Sequence, residues 1–158
     1  MKRASPMQIA LIALAVLGLA DSAYLLYEHL GHEIICIGSG CSIVDDSVYA
    51  EVFGVPMSVM GLVGYMLILG SALAGLRLRG RAREWAKVAV YGFALVGLLY
   101  SGYLTYLELF VIRAICTWCV VSAAIVTAIF ALAAVELQKP GTTRSRRSLA
   151  QKGRERES

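Results

Sequence analysis

Two cysteines separated by two residues, Cys116-Thr117-Trp118-Cys119, stand where the last long apolar run of the chain begins. Residues three apart share a helical face, so this pair can close a disulfide and also present one sulfur to a ligand between helices. At a helix N-terminus the unpaired N–H groups and the dipole favour a thiolate, a better nucleophile and leaving group than a thiol. The other two cysteines, Cys36 and Cys41, flank Ile37-Gly38-Ser39-Gly40, whose glycines supply mobility. Thiol exchange passes through a mixed disulfide and therefore needs reach. A mobile pair beside a fixed one can thus relay electrons; the alternative is two static disulfides.

Other residues invite weaker readings. Asp21 is an ionisable group inside an apolar run, a position that marks either proton handling or a structural hydrogen bond. Tyr100, Tyr103 and Tyr106 recur every third residue, and Trp118 lies between the cysteines. Aromatics at such depth commonly form an interfacial belt; the other reading places Trp118 and Tyr103 beside Cys119 in a pocket for a flat ring. Four cysteines with His29 and His32 allow a zinc or cluster site in principle, but an oxidising compartment disfavours persistent thiolates, so no metal is expected. Val120 stands where a covalent haem would require histidine.

The elements that must position these groups are membrane spans. With 58% hydrophobic and 16% charged residues, the chain is too apolar for an ordinary soluble domain. A span takes ~20 apolar residues, and four segments qualify, at about 7–30, 56–76, 85–111 and 112–137. Although Lys2 and Arg3 precede the first run, it continues past Asp21 to Tyr27 without a short core and cleavage site, so it is expected to be retained. The expected fold is an all-α membrane protein, a four-transmembrane-helix bundle over residues 1–138. A short interfacial helix is expected in the first outer loop, near Ser47 to Phe53. Residues 139–158 form a basic tail without fixed structure, suited to anionic lipid.

All Lys and Arg residues except Arg113 fall at the N-terminus, between Arg77 and Lys87, or in the tail. By the positive-inside rule both termini and the second loop face the cytoplasm. The loop with Cys36 and Cys41 has acidic residues but no Lys or Arg, and it faces out, as does the start of the fourth span. All four cysteines then share the oxidising side of a plasma membrane. The net charge of +4 is explained by this topology, and no nucleic-acid partner is expected.

The sequence resembles the vitamin K epoxide reductase family in its bacterial and archaeal form. The likeness runs through Tyr24-Leu25-Leu26-Tyr27-Glu28-His29, Cys36, Cys41-Ser42-Ile43-Val44, Ser47, Phe53-Gly54-Val55-Pro56 and Cys116-Thr117-Trp118-Cys119. It implies a four-helix bundle holding a quinone (ubiquinone, menaquinone or a relative) near the outer helix ends. Cys119 would face the quinone, with Ser47 near it, and Cys116 would exchange with the loop pair. Cys36 and Cys41 would accept electrons from a thioredoxin-fold partner of the Dsb type. Ala123 stands where the animal enzymes carry a tyrosine, which weighs against a vitamin K epoxide substrate. No fused thioredoxin-like domain follows, so the resemblance implies a separate partner with its own C-x-x-C. The expected activity is that of a membrane thiol oxidase and quinone reductase supporting disulfide formation. The rivals are a vitamin K epoxide or quinone reductase, and a non-enzymatic scaffold stapled by its disulfides.

Overall fold

The computed structural model describes residues 5–30, 51–52 and 55–138. Cys36, Cys41, Ser47, His32 and the basic tail lie outside these residues. Helix α1 covers Pro6–His29; two short strands, β1 (Glu51–Val52) and β2 (Val55–Pro56), pair antiparallel and lead into α2 (Met57–Arg77). Helix α3 runs from Arg81 to Tyr106 and continues through a π-helical turn, Leu107–Ile112, before α4 at Thr117–Gln138.

Each helix lacks an interior proline and is apolar nearly all round, so backbone hydrogen bonds close within the segment as a hydrocarbon environment requires. Among the described residues, four helices are long and apolar enough to cross a membrane. Large side chains such as Leu17, Met66, Leu99 and Phe110 remain exposed on the bundle, as suits a surface facing lipid.

Helix α1 packs on α2 and α4, and α3 packs on the same two, so the helices follow one another around the bundle. The core where they meet comprises Leu11, Ala15, Tyr65, Ile68, Val90, Ala94, Ile129 and Ala133. Small residues set the spacing, because close backbone approach replaces water exclusion as the source of helix association in lipid. A Cβ on Gly18 would overlap the Tyr65 ring, and one on Gly97 would lie 3.0 Å from Val126 Cγ2.

Three boundaries differ from the sequence-based expectation. Helix α3 starts at Arg81 rather than Trp85, its charged first turn extending beyond the apolar run with Lys87 Nζ 3.7 Å from Glu84. The fourth span starts at Thr117 rather than Ile112. Arg113 adopts a left-handed conformation (φ 57°), and the N–H groups of Arg113 and Ala114 both donate to the Glu108 carbonyl, ending the helix. Of the expected interfacial helix only Glu51 and Val52 are described, and these are extended because they pair with Pro56 and Val55.

Candidate redox site and adjoining cavity

Cys116 is the last residue before α4 and acts as its cap. The Val120 N–H donates to the Cys116 carbonyl at 3.1 Å, and the Cys119 N–H donates to Cys116 Sγ at 3.3 Å. Sulfur here fills the place that a serine or aspartate oxygen commonly takes at a helix start. The side chain is only 2% exposed, packed among Ile112, Ala114, Trp118 and Cys119. Its thiol is more acidic than an ordinary cysteine. The Cys119 thiol beside it contributes most to that shift, and the N–H groups of Cys119 and Trp118 add to it, against opposition from burial and the Glu108 charge.

Glu108 was not anticipated as a site residue. It lies in the π-helical turn, 4% exposed, and its Oε2 accepts the Cys116 N–H at 3.3 Å while its carboxylate also faces the Cys119 thiol. π-Helical turns inside α-helices are frequent at functional sites because the extra residue re-aims side chains. Here the turn directs a carboxylate inward, beside both sulfurs. The available sequence signal was that an acidic residue stood inside the third apolar run.

Cys119 opens onto a cavity of about 330 Å³ bordered by all four helices. Such a volume falls within the range of small-molecule sites, which are mostly apolar with a few placed polar groups. Leu25, Met60, Phe93 and Val126 contribute to its apolar wall. Its polar groups include Cys119, Glu108, Tyr100, Ser22, Tyr65 and Ser122. The Tyr65 hydroxyl donates to the Ser122 carbonyl at 3.0 Å and also lies 3.0 Å from its hydroxyl. Asp21, 7% exposed, is beside Ser122 with neither carboxylate oxygen in hydrogen-bond geometry.

The structure thus brings the free thiols of Cys116 and Cys119 side by side, with the Cys119 N–H donating to Cys116 Sγ, and places Asp21 close to the same cavity. Trp118 does not border the cavity; its ring packs against Tyr24 with centroids 4.9 Å apart. Tyr103 is 52% exposed and outside the wall, whereas Tyr100 is in it and donates to Met60 Sδ at 3.5 Å. A mostly apolar cavity bordered by a thiol, a carboxyl group and hydroxyls has the chemistry to hold an apolar ring that bears polar oxygens.

The comparison with known proteins agrees with this architecture. A match to the family described as Vitamin K epoxide reductase family covers residues 9–134, taking in nearly all of the four spans and both cysteine pairs. The chain belongs to the vitamin K epoxide reductase family and is a multi-pass membrane oxidoreductase.

Proposed function

We propose that this protein is a membrane thiol oxidase that passes electrons from a thioredoxin-fold partner, through Cys36–Cys41 and then Cys116–Cys119, to a quinone. The observation that carries the reading is the division of labour in the second pair. Cys116 caps α4 as an acidified thiol, while Cys119 borders the cavity. Cys116 is thereby suited to exchange with the loop, and Cys119 to deliver electrons to a ring in the cavity. Tyr100, which borders the cavity where Tyr103 does not, is assigned to the quinone pocket, and Ser47 to the loop side of the quinone.

When bound, the quinone supplies a two-electron sink. For such a couple ~30 mV corresponds to about 1.4 kcal/mol, so a quinone well above the thiol potentials drives the relay towards disulfides. The protein orients Cys119 Sγ, excludes water with the apolar wall and holds polar groups where charge develops. The proposed setting is the plasma membrane, with both termini cytoplasmic and all four cysteines outside.

Trapped intermediates test the relay. In Cys119→Ala, Cys116 has no partner for closure, so it is expected to remain joined to a loop cysteine, identifiable by mass spectrometry after proteolysis. In Cys41→Ala, the unpaired Cys36 thiolate is expected to attack the disulfide of an oxidised thioredoxin-fold partner, releasing one partner thiol and leaving the two proteins joined by a mixed disulfide. Absence of both adducts, with wild-type disulfides that resist mild reductant, would instead support the stapled scaffold.

A further inference from the structure

Resting on the quinone reading, we propose that Glu108 is a catalytic acid–base residue that takes the thiol proton of Cys119 and passes it to the nearer quinone oxygen. The carboxylate is buried in the cavity wall and contacts the redox pair at the Cys116 N–H and the Cys119 thiol. A glutamine would accept that N–H equally well, at a smaller desolvation cost than a carboxylate inside a membrane span. The charge therefore has a use beyond holding the start of α4. Proton transfer to a positioned carboxylate provides one, because Cys119 must shed its proton in a cavity walled mostly by apolar side chains.

Oxidation of the pair breaks two S–H bonds, forms one S–S bond and releases two electrons and two protons. The electrons leave through Cys119 Sγ to the quinone as Cys116 Sγ bonds to that sulfur. The Cys119 proton moves to a Glu108 carboxylate oxygen and then to the nearer quinone oxygen. Cys116 yields its proton to water on forming a thiolate, and water supplies the proton for the other oxygen. Among the described residues, the titratable groups around Glu108 are Cys116 before α4, Cys119 on α4 and Tyr100 on α3; Tyr65 on α2 lies in the same wall, and Asp21 on α1 lies beside Ser122.

The test begins without quinone. In reduced protein carrying Cys36→Ala and Cys41→Ala, modification of Cys119 by N-ethylmaleimide is followed across neutral pH by mass spectrometry. With Glu108 present the rate should change little with pH, because the proton is accepted internally. In Glu108→Gln it should rise in proportion to hydroxide and be at least about tenfold slower at neutral pH, while Glu108→Asp retains the shallow profile. A rate and profile unchanged in Glu108→Gln, or lost equally in Glu108→Asp, would overturn the assignment. Should Glu108→Gln fail to fold, Glu108→Ala takes its place, with the same slower, hydroxide-proportional profile expected and an unchanged profile overturning the assignment.

Turnover then separates this inference from the reading beneath it. Glu108→Gln should lower kcat with quinone by about 100-fold, with little change in KM for quinone. If neither protein turns over quinone but the alkylation profile depends on Glu108, the base stands and the quinone reading falls. If both turn over equally, the base assignment falls.

Discussion

The two cysteines of the C-x-x-C differ in what surrounds them, and that difference is open to direct measurement. Cys116 is acidified chiefly by the Cys119 thiol, so its alkylation in reduced protein should have a midpoint below that of free cysteine. Cys119→Ala should shift that midpoint upward, with Cys119→Ser retaining part of the effect; no shift in the alanine variant would contradict the assigned cause. Tyr65→Phe removes a hydroxyl paired with Ser122, which should cost about 1 kcal/mol, read as a lower midpoint of thermal unfolding in detergent. Residue type and spacing were enough to locate Cys116 and Cys119. They did not select Tyr100 over Tyr103, because three residues of an all-round apolar helix leave its rotation weakly specified. Tyr65 and Ser122 were illegible for another reason: their contact joins positions 57 residues apart, and only helix packing brings them together.

Among the elements, the junction between α3 and α4 matters most, since it aims Glu108 inward and starts a new helix at Cys116. Its left-handed residue is Arg113, not glycine. Arg113→Gly should be neutral or slightly stabilising, whereas Arg113→Val should cost about 1–2 kcal/mol in thermal unfolding, from the clash of Cβ with the carbonyl. Equal stability in the two variants would show that the turn does not depend on this conformation. Gly18 is the matching constraint inside the bundle: Gly18→Leu must displace the Tyr65 ring and should cost about 1–3 kcal/mol while disturbing the cavity wall. Retention of wild-type stability and quinone affinity in that variant would contradict the close packing. The number and approximate positions of the spans were legible from apolar run length. The short turn near Glu108 to Arg113 was legible as the meeting of two apolar runs, but its π-helical and left-handed geometry was not, because the run from Leu107 to Cys116 contains neither glycine nor proline to announce a break.

For the whole molecule, the four spans define the fold, and the distribution of basic residues carries the proposed orientation. A reporter that fluoresces only in the cytoplasm should be bright when inserted at Arg79 or fused after Ser158, and a dark fusion at either site would contradict the proposed sidedness. The proposed orientation puts the loop cysteines and the C-x-x-C on one side of the membrane, which the relay requires. In the proposed relay the bundle separates thiol exchange at Cys116 from ring chemistry in the cavity that Cys119 borders. The most direct measurement of this arrangement follows quinone absorbance after purified protein in detergent meets a ubiquinone or menaquinone analogue and a reduced thioredoxin-fold donor. Quinone loss in wild type that disappears in Cys119→Ala is the predicted result. No loss with either quinone, while both disulfides stay intact in the presence of the donor, would contradict the oxidase.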